Sequence, residues 1–194
     1  MEPLGVGIIG FGFMGRTHTF AHRSIPLYYD PPPVRCELRA VCRTTEQGAA
    51  EAMEVGGFAR CTTDPMEVIA AEDVDIVHVC TPNHLHFEQL RAAIEAGKHI
   101  YCDKPVTGSL QEAEALERML PDYRGVSQVA LQYRFLPATI RAKELVEDGF
   151  LGSVTHFRAA YLHSGSVDPQ KAVNWKSTAA AGGGRGGLPV DRLL

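Results

Sequence analysis

The chain has 194 residues, 19 Lys and Arg against 23 Asp and Glu, and a formal net charge of −4. Hydrophobic residues make up 45% and charged residues 22%, which supports a globular core and excludes a disordered chain. The slight acidity argues against a nucleic-acid binder held by a basic surface, and no run reaches the ~18 apolar residues of a membrane span.

The start, Met1-Glu2-Pro3-Leu4, lacks the basic region and apolar run of a signal peptide. Cysteines stand at positions 36, 42, 61, 80 and 102 with no CxxC spacing, and read as reduced thiols of a cytoplasmic protein. The length fits one domain with a remainder, or two small ones.

In chain order, residues 4–9 form a short apolar run that ends at Gly10 and predicts a buried strand. A helix is expected over 13–24, then a loop over 25–34 that contains Pro26 and Pro31-Pro32-Pro33. A second strand (36–42) precedes a helix (45–55) closed by Gly56-Gly57. Asp64-Pro65 marks a helix start, with Asp as cap and Pro at the first helical position. Strands at 75–80, 99–102 and 126–131 alternate with helices at 86–96 and 109–120, the latter opened by Ser109 and Glu112 at capping-box spacing. A helix over 137–148 and a longer strand over 154–161 follow, then a low-complexity tail, AAAGGGRGG, at 179–187. This alternation, over residues 4 to about 131, predicts an α/β fold with a parallel sheet of βαβ units, and the segment after it begins something new.

Gly10-Phe11-Gly12-Phe13-Met14-Gly15 fits G-x-G-x-x-G between a predicted strand and a predicted helix. Gly10 would allow the tight turn, Gly12 the approach of a pyrophosphate and Gly15 close helix–strand packing, with the helix N-terminus facing the phosphates. A glycine-rich structural turn or an S-adenosylmethionine site are the alternatives. No acid stands at the end of the second strand, Val41-Cys42-Arg43-Thr44. A ribose 2′-hydroxyl is read by an acid and a 2′-phosphate by Arg, so Arg43 tilts the choice within NAD(P) towards NADP.

Two further loops follow strands, where ligands of open α/β sheets sit. Thr81-Pro82-Asn83-His84-Leu85-His86 is placed at the cofactor crevice, with Thr81, Pro82, Asn83 and His86 as candidate contacts. His84 and His86 are two apart and suit capping and packing better than a metal. In Cys102-Asp103-Lys104-Pro105, Lys104 is a candidate acid/base or a clamp on a substrate hydroxyl, Asp103 could orient its ammonium, and Lys104–Pro105 is a candidate cis bond.

The ordered segments GIIGFGFMG, VHVCTPNHLH and EAGKHIYCDKPV resemble the Gfo/Idh/MocA oxidoreductases, the family of glucose–fructose oxidoreductase and inositol dehydrogenase. Where that family has Glu-Lys-Pro, this chain has Asp103-Lys104-Pro105. The resemblance runs from about Leu4 to Trp175. It implies a doubly wound Rossmann domain over residues 1–124, the start of an incomplete second α/β (α+β) domain over 125–194 that in the family carries a large open sheet, and hydride transfer between NAD(P) and a hydroxyl-bearing carbon of a sugar or polyol. It implies that Lys104 is the catalytic-site lysine, that Asp103 and Lys104 also line the cofactor, and that Tyr133 and Arg134 lie near nicotinamide and substrate. It further implies subunit contacts through the second-domain sheet, hence a homo-oligomer for a full-length form.

The family pattern continues through a glycine run into Asp-x-Gly-x-His. Here Ala181-Gly182-Gly183-Gly184 gives way to Arg185-Gly186-Gly187-Leu188-Pro189-Val190, Asp191 is out of register, and no His follows Trp175. The expectation is a truncated or frame-shifted product, and the alternative function is a cofactor-binding fragment without turnover.

Overall fold

The computed structural model describes residues 2–160, 162 and 170. Six strands pair in parallel: β1 (Leu4–Ile9), β2 (Cys36–Cys42), β3 (Arg60–Thr62), β4 (Ile76–Val79), β5 (His99–Cys102) and β6 (Ser127–Val129). Their order in the sheet is β3-β2-β1-β4-β5-β6, the doubly wound arrangement expected for a dinucleotide-binding domain. The helices are α1 (Phe13–Tyr28), α2 (Glu46–Gly56), α3 (Pro65–Ala70), α4 (His86–Glu95), α5 (Leu110–Glu117) and α6 (Pro137–Glu147). The described residues fall into two compact units: the sheet unit runs through Ala130, and the second begins at Leu131 and carries α6.

Local chemistry explains several boundaries. The Thr45 hydroxyl accepts from the Gly48 N–H at 3.2 Å to start α2, and Gly57, at φ 73°, ends it in the left-handed region. Asp64 caps α3 through a 2.8 Å bond from the Met66 N–H, with Pro65 in the first turn. Ser109 and Glu112 form the capping box of α5, each side chain bonded to the other residue's main chain.

The sheet is buried on both faces by alternating side chains, with one register shift in β2 between Leu38 and Ala40. Ile9, Cys42, Val77 and Val79 pack with Val68 and Ile69 of α3, Leu90 and Ala93 of α4 and Leu116 of α5. Val6, Ile8 and Val41 pack on the other face with Phe11, Ala52 and Phe58, where Ile76 and Cys80 border the cluster. Burying each such side chain contributes roughly 1.5–3 kcal/mol, so this two-sided core fixes the register of the strands.

The structure corrects three expectations. The loop expected from residue 25 begins later, because α1 runs through Pro26 to Tyr28. Pro26 falls in the last turn, where it forfeits only a terminal bond, and the Tyr29 N–H still closes the turn on the Ile25 carbonyl at 3.1 Å. β3 was not anticipated; its three residues, Arg60-Cys61-Thr62, carry no periodicity, and it exists by pairing with β2. The long strand expected over 154–161 is not formed over 154–160, where the chain is irregular and Val154 and Phe157 are exposed. A strand needs a neighbour for its backbone groups, and no described strand pairs with this segment. Tyr161 and the tail at 179–187 lie outside the described residues, as do Trp175 and Asp191. Among the described residues no helix is long and apolar enough to cross a membrane.

Candidate functional site

β1 and β4 are neighbours, and the helices that follow them lie on opposite faces of the sheet. Their carboxyl ends therefore frame a crevice at the switch point. At this edge Cys80 N–H donates to the Ile9 carbonyl and Asp103 N–H to the Val79 carbonyl, each at 2.8 Å. These bonds bring the starts of the three motif loops side by side.

Gly10 turns out of β1 at φ 93°, and a Cβ there would stand 2.6 Å from the Cys80 carbonyl oxygen. Only glycine fits this turn. A Cβ on Gly15 would run into the Gly10 carbonyl, so the first turn of α1 presses directly on the end of β1. Gly12 differs: a Cβ there would meet nothing within 4 Å. It is the N-cap of α1, no side chain caps it, and no acid lies in the first turn. The first-turn N–H groups have no hydrogen-bond partner among the described residues, and with the positive end of the helix dipole they make a cradle that fits a pyrophosphate.

The other loop residues take distinct positions. Phe11 is buried, its ring edge-on to Phe58 at 5.8 Å, so its side chain belongs to the core; Phe13 is 83% exposed. Met14 is half-buried. Arg43 follows β2, its main-chain N–H bonded to the Thr62 carbonyl at 3.1 Å. Its guanidinium carbon lies 3.4 Å from where a Cβ of Gly48 would stand, beside the start of α2.

On the next loop, the Thr81 hydroxyl donates to Gln89 Oε1 at 2.7 Å, and Asn83 is buried in a short 3-10 turn, Asn83–Leu85. His86 is fully buried, with its two ring nitrogens 2.8 Å from the Pro105 and Thr81 carbonyl oxygens. Asp103 Oδ1 accepts from the Lys104 main-chain N–H at 2.9 Å. It thus fixes the lysine's backbone, a different role from the ammonium contact expected. Lys104 is half-buried, its bond to Pro105 is cis, and no described residue bonds or pairs with its Nζ. Tyr133 and Arg134 lie on the second unit, in an exposed 3-10 turn, Gln132–Phe135.

A polar cluster absent from the sequence reading lies on the α1 face of the sheet. His78 Nδ1 is 3.0 Å from His18 Nδ1, His78 Nε2 is 3.0 Å from His22 Nε2, and Cys80 Sγ is 3.3 Å from His18 Nδ1. The signal was present as His18 and His22 one helical turn apart and His78 inside an apolar strand. The cluster borders a cavity of about 430 Å³ that also touches Ile76, Tyr101 and Val126, away from the glycine loop. Burial, reinforced by the two neighbouring rings, holds His78 well below the usual imidazole range. Burial also lowers His18 and His22; the Asp103 carboxylate partly offsets this at His18, and His18 adds to it at His22. Burial first, then Asp103 and Cys102, pushes the Cys80 thiol up, so it stays protonated and can donate to His18.

These features define the class: a nucleotide-binding α/β domain with a glycine cradle, two polar loops and a lysine that no described residue pairs, along one sheet edge. Residues 4–131 match the model of an oxidoreductase family with an NAD-binding Rossmann fold, and the chain belongs to this Gfo/Idh/MocA family. It is 38% identical over 185 residues to levoglucosan dehydrogenase of Pseudarthrobacter phenanthrenivorans, covering 94% of this chain and 47% of that protein. It is 32% identical over 153 residues to D-glucoside 3-dehydrogenase of Escherichia coli, covering 79% and 42%. A solved levoglucosan dehydrogenase complex with NADH superposes at a TM-score of 0.91, 36% identical, covering 97% of this chain and 51% of that one. The chain thus spans about half the length of the curated relatives it matches.

The histidine cluster generates a pH prediction. Unfolded histidines titrate near ~6.5, and these three titrate lower when folded. Below about pH 6.5 the unfolded chain therefore binds more protons, and stability is lost by up to ~1.4 kcal/mol per pH unit for each extra proton. Above that pH the contribution is complete. Carboxylates such as Asp73, held low by its hydrogen bonds to Arg60, act only below about pH 4. Urea unfolding should show a lower midpoint at pH 5.5 than at pH 7.5, and equal midpoints would contradict a neutral cluster.

Proposed function

We propose that this chain binds a nicotinamide dinucleotide in the crevice at the ends of β1, β4 and β5 and serves hydride transfer at a hydroxyl-bearing carbon of a sugar or polyol. The observation that carries this reading is the convergence of the glycine cradle, the Thr81–Asn83 loop and Lys104 along one sheet edge. Relatives named as sugar dehydrogenases support the substrate class.

The residues divide the work by their chemistry. The first-turn N–H groups of α1, opened by Gly12, hold the pyrophosphate. Arg43 faces the adenosine ribose. Thr81, Pro82 and Asn83 shape the wall beside the nicotinamide, which when bound accepts or donates the hydride. Lys104 Nζ is proposed to hydrogen-bond the reacting oxygen and orient its carbon toward the nicotinamide, and Tyr133 and Arg134 are proposed as substrate contacts. A second reading is dinucleotide binding without turnover.

Between the cofactors, the absence of an acid after β2 and the presence of Arg43 favour NADP, while the NADH complex of the relative favours NAD. Nicotinamide fluorescence titrations with NADH and NADPH decide this. Saturable binding of either supports the site, and binding of neither overturns it. If Arg43 reads the 2′-phosphate, Arg43→Ala should weaken NADPH about ten-fold, the cost of one charge-assisted bond, and leave NADH within about two-fold. A separate expectation concerns Lys104→Ala: NAD(P)H affinity stays within a few-fold, and any oxidation of a polyol panel falls by ~10²-fold or more. A variant that keeps most of its rate would remove Lys104 from the chemistry.

A further inference from the structure

His86 stands in the first turn of α4 with no exposed surface. Its Nε2 lies 2.8 Å from the Thr81 carbonyl oxygen and its Nδ1 2.8 Å from the Pro105 carbonyl oxygen. One carbonyl belongs to the loop after β4 and the other to the loop after β5, one residue past Lys104. Carbonyl oxygens only accept, whereas a neutral imidazole has one N–H and one lone pair. A neutral ring would satisfy one carbonyl and set its lone pair against the other at hydrogen-bond distance, in a buried site where such a mismatch is costly. A ring with hydrogen on both nitrogens satisfies both.

We propose that His86 is a positioning residue that donates from both ring nitrogens, as an imidazolium, and thereby locks the Thr81–Asn83 loop to the Lys104–Pro105 loop. The lock sets where the Lys104 ammonium stands relative to the wall beside the nicotinamide. Its functional consequence rests on the dinucleotide reading above; its geometry does not.

The surroundings suit this role. The Thr81 loop is held twice from α4, at its carbonyl by His86 and at its hydroxyl by Gln89 Oε1. Cys102 Sγ lies 3.6 Å from His86 Nδ1 and donates to the Asp103 carbonyl at 3.0 Å. Burial, then the Asp103 charge, pushes the Cys102 thiol up, so it remains a thiol. The other titratable groups at these strand ends are Cys80, also kept a thiol, Lys104, and Asp103, the anion of the group. In this geometry His86 acts through the main chains of two loops.

The test begins with NMR of the full chain labelled with 15N-histidine at pH 7. The expected result is one histidine, absent from the spectrum of His86→Gln, that carries a slowly exchanging proton on each ring nitrogen. A single ring proton on His86 would overturn the proposal. The second readout is NADH affinity at pH 7, where His86→Gln should bind about ten-fold more weakly than wild type. Equal affinity would contradict the positioning role. If wild type binds no NADH, the dinucleotide reading fails, and the ring-proton count still decides the state of His86.

Discussion

The parallel pairing of β1 with β4, which sets Ile8 beside His78 and Ile9 beside Val79, is the constraint on which the crevice depends. Chain connectivity runs away from this pair in both directions, so the following helices must take opposite faces and leave a gap between their N-termini. The same register sends Val77 and Val79 into the α3–α4–α5 core and turns His78 to α1. It also brings the Cys80 carbonyl so close to Gly10 that any side chain there is excluded. Backbone packing and the ligand cradle are thus consequences of one strand pair.

Most polar groups carried into this core are matched to partners. His86 spends both ring nitrogens on loop carbonyls, and Lys98 Nζ donates to the Ala71 and Val74 carbonyls at 2.8 and 2.7 Å. His18 Nδ1 stands in two of the cluster's contacts, to His78 Nδ1 and to Cys80 Sγ, and a neutral ring nitrogen offers one N–H or one lone pair, so the two contacts are coupled through this one atom. His22 Nε2 meets His78 Nε2, and the buried His22 Nδ1 has no hydrogen-bond partner among the described residues.

Much of this was legible in the sequence because its signals are local. The glycine spacing, the Asp64-Pro65 and Ser109–Glu112 caps and the apolar runs of β1, β2, β4 and β5 each report a constraint that the segment meets alone. The failures came where partners decide. β3 has a three-residue sequence without pattern and is held by β2, and residues 154–160 have strand-like composition without a strand to pair with. Within the site, the motif named the loops but not the side-chain directions. Phe11 turned into the core, Asp103 bonded to the main chain, and His86 faced two carbonyls, each set by contacts distant in sequence.

The most direct test of the crevice is to map backbone amide shifts of the 15N-labelled chain as NADH is added. The account predicts the largest shifts at Gly12, Phe13 and Met14, with a second set at Thr81, Asn83 and Lys104. Shifts confined to His18, His78 and Tyr101 would place the nucleotide in the cavity on the α1 face and contradict the account.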